Sequence, residues 1–196
     1  MKIYIFFLLI GSLVFKHKRE SDVFENLFIK SNYCFVKMYY LLKNSKTIDY
    51  LNYVRENIPA VLPCKSARIT SGFGFRVHPL KNTINYHYGI DLVSEESDRI
   101  YSVFDGKIAY IGYNGAYGNC IKIKNDWGFE VLYGHLSSFR EDLKIGDWIS
   151  QNEFVGMMGA TGNVTAKHLH YELKYNLKRI DPKDNLEFIQ LYKLQE

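Results

Sequence analysis

Cysteine and proline are scarce in this chain, which has three cysteines and four prolines in 196 residues. The odd number of cysteines excludes a framework in which every cysteine is paired within one chain, and no pair has the C-x-x-C spacing of a thiolate metal site. A bridge between Cys34 and Cys64 is compatible with export. We expect instead that these two residues and Cys120 are buried free thiols.

A strongly basic surface is also absent. The net charge is +4, and the lysines and arginines are scattered along the chain rather than clustered. This distribution does not predict nucleic-acid binding, and most of these side chains are expected to be solvated surface charges. The mild positive excess suits an anionic partner such as a bacterial wall polymer.

The apolar run near the N-terminus is too short for a comfortable transmembrane helix, which needs about 20 residues. Residues 3–15 are uncharged and mostly apolar, and a basic cluster follows at 16–19. The length and composition are typical of a signal-peptide apolar region, although no small-x-small cleavage site follows and positive residues tend to stay in the cytoplasm. We therefore predict that residues 1–19 are a signal peptide or membrane anchor, with a short buried helix as the alternative. The predicted location is the cell envelope, either periplasmic or extracytoplasmic.

Glycine is missing from residues 20–58, whereas thirteen of the fourteen glycines lie after residue 70. Apolar residues recur at helical spacing in the second half of the glycine-free region, and two prolines then prevent the helix from continuing. These residues are Ile48, Leu51, Val54 and Ile58, followed by Pro59 and Pro63. We predict a helical extension and linker over residues 20–66, which would either hold the following domain away from a membrane or cover its cleft.

From residue 67 onward the chain contains short runs in which apolar and polar residues alternate, separated by glycine-containing turns. The runs are residues 108–111, 121–124, 129–133 and 168–174. No pattern of long crossover helices is visible between them. This pattern of short alternating runs and glycine turns predicts a mainly β domain over residues 67–196, with an antiparallel sandwich or barrel-like fold.

Histidines and a carboxylate occur at spacings that suit a metal ion. His168 and His170 lie on one face of a predicted strand, since side chains two apart point the same way. His87 and Asp91 are four residues apart, with Gly89 between them to let the chain turn. A catalytic zinc ion needs three nitrogen or oxygen ligands and an open position for water. The chain can supply that set and still has a histidine to spare, although any one histidine taken alone is more simply explained as a structural residue.

The other histidines have weaker local signals. His135 follows Gly134 and is predicted to close the strand over residues 129–133, where it could enter a cleft. His78 is predicted on a loop, and His17 adjoins the N-terminal apolar run.

Two other chemistries use similar residues. A mononuclear iron oxygenase also uses two histidines and a carboxylate, but usually places its first histidine and carboxylate two residues apart and needs no further histidines. A Cys–His hydrolase built on Cys120 and His135 would need a thiol in a basic, exposed niche. Because Cys120 lies in an alternating strand, a packed thiol is the expectation.

Six motifs stand in one order along the chain and identify a resemblance. They are Ser71-Gly72-Phe73-Gly74-Phe75-Arg76-Val77-His78-Pro79, His87-Tyr88-Gly89-Ile90-Asp91-Leu92, Val103-Phe104-Asp105-Gly106, Tyr133-Gly134-His135-Leu136, Gly159-Ala160-Thr161-Gly162 and His168-Leu169-His170-Tyr171-Glu172-Leu173. Through this series, residues from about 67 to 185 resemble the lysostaphin/LytM-type zinc endopeptidases that cut bacterial peptidoglycan.

The resemblance implies one zinc ion per chain, bound by His87, Asp91 and His170, with His135 and His168 as the two unliganded histidines beside the catalytic water. It implies an endopeptidase that hydrolyses peptide cross-links or stem peptides of peptidoglycan, with a metal-activated water as the nucleophile. The alternative is a non-catalytic regulatory or binding module of the wall machinery, as in relatives that have lost metal ligands. No ligand is missing here.

Two positions next to the final motif carry further expectations. The stretch Thr165-Ala166-Lys167 stands where a Gly-Pro pair commonly precedes the final motif in this family, and Lys167 could change the charge near the cleft. Glu172 is predicted to share the face of His168 and His170. It would either orient an imidazole or serve only in packing or at the surface.

Overall fold

The computed structural model of the protein describes residues 56–59, 61–77 and 83–184. The predicted leader and most of the predicted helical extension therefore lie outside the described residues, as do Cys34, His17 and His78. In the described part, no helix is long and apolar enough to span a bilayer.

The described regular structure includes twelve strands and one short 3-10 turn, besides a few helical residues at 56–57 and 182–184. The strands are β1 (Arg68–Ser71), β2 (Gly74–Val77), β3 (Ile84–His87), β4 (Ile90–Val93), β5 (Arg99–Tyr101), β6 (Gly106–Tyr113), β7 (Asn119–Lys124), β8 (Phe129–Phe139), β9 (Trp148–Ile149), β10 (Phe154–Met158), β11 (Leu169–Tyr175) and β12 (Lys178–Ile180). The 3-10 turn spans Gly115–Tyr117.

Ten of these strands form one sheet, whose main path runs β1-β4-β11-β8-β7-β6-β9. Strand β10 pairs with β5 and β8, β12 pairs with β11, and β2 and β3 form a separate two-stranded hairpin. Every pairing is antiparallel. The prediction of a mainly β, antiparallel domain is thus confirmed, while the sandwich or barrel-like arrangement stays a prediction.

The core lies along the central strands of this sheet. Alternate residues of β7 and β11 are fully buried, as the pattern of their sequences predicts. These residues are Ile121, Ile123, Leu169, Tyr171 and Leu173. The other face of β11 is also buried, since His170 and Glu172, which lie on it, are only 6% and 2% exposed. Although β11 alternates apolar and polar residues, both of its faces are covered. Its polar face is therefore buried and is not a solvated surface.

Cys64 and Cys120 are buried free thiols, as expected. Burial raises the pKa of both thiols. Cys120 therefore lacks the exposed, basic niche that a nucleophilic cysteine requires, which removes the structural basis for a Cys–His hydrolase.

Two buried tyrosines on neighbouring strands provide a test of how the core is held. Tyr133 and Tyr171 are paired across β8 and β11, and their rings stack at 5.9 Å. The Tyr133 hydroxyl accepts a hydrogen bond from the buried backbone N–H of Val103 at 3.1 Å. The Tyr171 hydroxyl is equally buried but has no hydrogen-bond partner among the described residues.

We expect Tyr133→Phe to lower the free energy of unfolding by about 1–3 kcal/mol, because it leaves a buried N–H without an acceptor. Tyr171→Phe is the matched control and should cause little change or a small gain, because it removes an unpaired buried hydroxyl. Chemical denaturation of the two variants measures the difference. Equal losses of stability in both would contradict this account of the core.

Candidate metal centre

Three side-chain atoms from the predicted ligand set converge on one point. His87 Nε2 lies 3.0 Å from His170 Nδ1, and Asp91 Oδ1 lies 3.1 Å from each of these nitrogens. Ligands held tetrahedrally at zinc distances of about 2.0–2.1 Å are separated by about 3.3 Å. The triangle therefore has nearly the size that a zinc ion requires, and all three residues are buried.

Strand register brings these atoms together. His170 of β11 is paired directly with Asp91 of β4, and His87 ends β3 just before the chain enters β4. Gly89 lies between them and packs against the backbone of Tyr171, where a Cβ would clash with the carbonyl oxygen. Close approach to β11, rather than the predicted need for a turn, is what requires glycine at this position.

In His87 and His170, the ring nitrogen that points away from the centre (the outer nitrogen) makes a hydrogen bond, and this bond determines the state of the inner nitrogen that faces the centre. His87 Nδ1 is 2.7 Å from the carbonyl oxygen of Gly72, and His170 Nε2 is 3.3 Å from Glu172 Oε1. Because these oxygens can only accept, each outer nitrogen donates a proton, which leaves a lone pair on the inner nitrogen of the neutral ring. Two lone pairs and a carboxylate oxygen then face one another. This arrangement is favourable only around a cation.

The pKa shifts of Asp91 and His170, the pair across β4 and β11, agree with that conclusion. Burial opposes charge on both residues, but mutual hydrogen bonding prevails, holding the pKa of Asp91 well below its usual range and raising the pKa of His170. The protein thus stabilises one positive charge at this point. A proton on His170 can supply it, and so can a divalent cation bound by the inner lone pairs.

Glu172 is buried, with 2% of its surface exposed, and supports the ring of His170 from behind. The Tyr117 hydroxyl donates to Glu172 Oε1 at 2.6 Å, and Arg179 Nε donates to Oε2 at 3.3 Å. Burial opposes ionisation, yet hydrogen bonds from His170 and Tyr117 lower the pKa of Glu172, so it is a carboxylate at neutral pH. Of the two roles expected for this residue, orientation of the imidazole is the one its contacts support.

Sequence reasoning missed three side chains around the ligands. Tyr117 and Arg179 hold Glu172, and Arg76 Nη1 lies 3.6 Å from Asp91 Oδ2. Tyr117 comes from the 3-10 turn and Arg179 from β12, neither of which has a spacing that points to the site. Arg76 stands within the first of the six motifs, so its position there was the one available signal.

His135 and His168 lie side by side next to the three ligands. Their ring centroids are 4.8 Å apart, and the His135 ring is 5.6 Å from that of His170. His135 Nδ1 donates to the carbonyl oxygen of Thr161, and His168 Nδ1 donates to that of Ala166, each at 2.9 Å. The basic nitrogen of each neutral ring is therefore Nε2. That of His168 lies 3.6 Å from Asp91 Oδ1.

Burial, together with a smaller effect of the neighbouring histidines, lowers the pKa of His135 to about 4. The ring is consequently neutral at pH 7 and able to accept a proton.

The prediction that His135 closes a strand is wrong. Strand β8 continues through His135 to Phe139, but it changes partner there, pairing with β11 up to Gly134 and with β10 from Leu136. At the change His135 has a φ of +62°, a left-handed conformation that is uncommon for a residue with a Cβ. The irregularity re-aims the side chain, as bulges beside active sites do.

Lys167 does not add free charge to the cleft. Its ammonium group contacts both carboxylate oxygens of Asp98, at 2.8 and 2.9 Å. The departure from the usual Gly-Pro pair therefore leaves the local charge balanced, and the ligand set is unaffected.

Comparison with known proteins agrees with this geometry. The chain is 38% identical over 120 residues to the DD-carboxypeptidase/endopeptidase Mpg of Neisseria meningitidis serogroup B, covering 61% of this chain and 27% of that protein. The chain thus spans about a quarter of the length of this curated relative.

Solved structures share the fold, and two of them show how far the likeness extends. A zinc-containing peptidase from Vibrio cholerae superposes with a TM-score of 0.58 at 27% identity, covering 65% of this chain and 40% of that one. The catalytic domain of lysostaphin from Staphylococcus simulans gives a TM-score of 0.53 at 27% identity, covering 63% of this chain and 92% of that one.

The family comparison covers the metal centre itself. The profile of peptidase family M23 matches residues 85–182, which is half of the chain and includes all three converging ligands and both neighbouring histidines. The lysostaphin-type resemblance inferred from the sequence motifs is therefore confirmed, and the iron oxygenase is not supported. With its motifs, its antiparallel sheet and its His-Asp-His centre in agreement, the chain belongs to peptidase family M23.

Proposed function

We propose that this protein is a zinc-dependent endopeptidase that hydrolyses peptide cross-links or stem peptides of bacterial peptidoglycan. The observation that carries the proposal is the convergence of His87 Nε2, Asp91 Oδ1 and His170 Nδ1 within 3.0–3.1 Å, with two further histidines beside them. Family membership and the names of relatives support the same reaction, and Mpg is named as an endopeptidase.

The residues divide the chemistry between them. His87, Asp91 and His170 would hold one zinc ion, which supplies an activated water and polarises the carbonyl of the scissile bond. The Nε2 atom of His135 or His168 would accept the proton that this water loses, because the hydrogen bond made by each Nδ1 leaves Nε2 as the basic nitrogen of the neutral ring. The proton then passes to the nitrogen of the leaving amine as the C–N bond breaks.

The rest of the chain is assigned by the same proposal. Residues 67–196 form the endopeptidase domain, with an antiparallel sandwich or barrel-like fold, and residues 20–66 form a helical extension and linker. Residues 1–19 direct the protein to the cell envelope as a signal peptide or membrane anchor. An envelope location agrees with the name of a relative from Vibrio cholerae, the peptidoglycan DD-endopeptidase ShyC.

Purified peptidoglycan tests the reaction directly. Digestion by the full chain should release fragments whose masses show a cut peptide bond and an intact glycan. A chelator should abolish their release, and added zinc should restore it. Because Mpg is named for DD-type activity, D,D cross-linked muropeptides are the first defined substrate to use. Binding to peptidoglycan without any cleavage would favour the regulatory module instead.

Two histidine variants separate metal binding from turnover. His170→Ala should lose zinc and activity together, because it removes a ligand. His135→Ala should keep zinc but lower the turnover rate by about 10²- to 10⁴-fold, the range for a proton-transfer group. Metal analysis and muropeptide hydrolysis are measured on the same samples. Full activity in either variant would contradict the assignment of that residue.

Glu172→Gln tests the support behind His170. The amide keeps the shape but loses the negative charge, so zinc affinity should fall about 10- to 100-fold in competition with a chromogenic chelator. Glu130→Gln is the matched control, since Glu130 lies on the neighbouring strand and pairs with Lys174 away from the ligands. Equal zinc affinity in the two variants would show that Glu172 has no part in holding the ligand.

A further inference from the structure

The β2–β3 hairpin has two chemically different faces. Gly74 is paired with His87, and Phe75 is paired with Tyr86, so neighbouring pairs point their side chains to opposite sides. His87 turns inward to the metal centre. Phe75 and Tyr86 therefore cover the opposite side of the same hairpin, which the proposed reaction does not use.

Four aromatic rings and one cation form what we call the hairpin patch: Phe73, Phe75, Tyr86, Tyr88 and Arg179. The Tyr86 ring contacts each of the other three, with centroid distances of 4.9–5.4 Å. They line an open concavity of about 560 Å³. Phe75 is 80% exposed, Tyr88 46% and Tyr86 37%, so the ring faces are available to a ligand.

Arg179 gives the patch a fixed positive charge. Its guanidinium carbon lies 4.3 Å from the centroid of the Tyr88 ring, and its Nε donates to the buried carboxylate of Glu172. These two contacts fix the orientation of the guanidinium group. Because Arg179 is partly exposed, its other N–H groups can donate to acceptor oxygens of a ligand.

The size of the patch limits what it can bind. Aromatic side chains offer about 150–250 Å² each, so the exposed fractions of Phe75, Tyr86 and Tyr88 amount to roughly 350 Å². A stable protein interface needs about 800 Å² on each partner. A patch of this size is therefore too small for a folded protein partner, but it fits a ligand the width of one or two rings.

We propose that the hairpin patch binds the glycan strand of peptidoglycan. This inference rests on the proposed function, which places the enzyme on that polymer. A pyranose ring has a face of C–H groups that packs on an aromatic ring, and its edge carries hydroxyl and acetamido oxygens that the tyrosine hydroxyls and Arg179 can contact.

The hairpin patch and the metal centre are close enough to contact the same substrate molecule. The hairpin is a single layer of two four-residue strands, so its two faces are separated by only one backbone thickness. A glycan strand held on the aromatic face therefore stays next to the metal centre, which His87 reaches from the other face. The patch would favour long wall polymer over short fragments.

The test uses the full chain and glycan strands from which the stem peptides have been removed, so that no peptide bond is available to cut. Titration calorimetry should detect binding by the natural sequence. Phe75→Ala should weaken that binding by about two- to tenfold, as loss of one ring contact predicts. Because Phe75 is largely exposed, this change leaves the core intact. Trp148→Ala removes another exposed aromatic ring, 55% exposed and at the β9 end of the sheet, and should bind as the natural sequence does.

Hydrolysis assays keep this inference distinct from the proposed function. Phe75→Ala should cut a D,D cross-linked stem-peptide dimer that carries no sugar at the natural rate, but it should digest intact peptidoglycan more slowly. If no protein cuts either substrate, the proposed function fails, whatever the glycan titration shows. If hydrolysis proceeds but peptide-free glycan is not bound, the inference is overturned and the proposed function stands.

Two further outcomes would also overturn the inference. If Phe75→Ala slows hydrolysis of the sugar-free peptide dimer as much as it slows digestion of intact peptidoglycan, this ring lies in the cleft rather than in a separate glycan site. Binding to vesicles of phosphatidylglycerol and phosphatidylethanolamine that Phe75→Ala abolishes, without glycan binding, would identify the patch as a membrane contact.

Discussion

Three electron-pair donors lie within 3.0–3.1 Å of one another at the centre of this protein, and such a cluster is unfavourable without a cation between them. The neighbouring structure serves this constraint. The cross-strand pair of His170 and Asp91 sets the spacing, Gly89 lets the chain pack against β11, and oxygens of Gly72 and Glu172 orient the two rings. Metal binding consequently depends on the register of the sheet, because a slip of one residue in β11 would turn the side chain of His170 to the opposite face.

Charges of opposite sign offset each other both at the metal ligands and behind them. The carboxylate of Asp91 offsets part of the charge of a bound zinc ion, and the carboxylate of Glu172 is offset by Arg179. The residual charge at the metal therefore stays at +1, the value that two neutral imidazoles and one carboxylate give. This balance lets a buried carboxylate support His170 without weakening the acidification of a bound water.

Much of this centre could be predicted from sequence because its elements are local. A two-residue spacing puts His168 and His170 on one face of a strand, and the motif from His87 to Asp91 spans only five residues. The left-handed turn of the backbone at His135 could not be predicted, because it arises where β8 exchanges one partner strand for another. Arg179 was also missed. It reaches Glu172 only through the pairing of β12 with β11, and no pattern in the sequence sets that contact.

Arg179 also links the two faces of the hairpin. It contacts Tyr88 at the aromatic surface and Glu172 behind the metal ligands, so one side chain belongs to both environments. A ligand that pulled the guanidinium group away from Glu172 would leave a buried carboxylate with less compensation, which is costly. A ligand that leaves this contact in place carries no such cost, and stacking on the exposed faces of Phe75 and Tyr86 meets that condition. The surface therefore favours a ligand that lies flat on the rings over one that extracts the arginine.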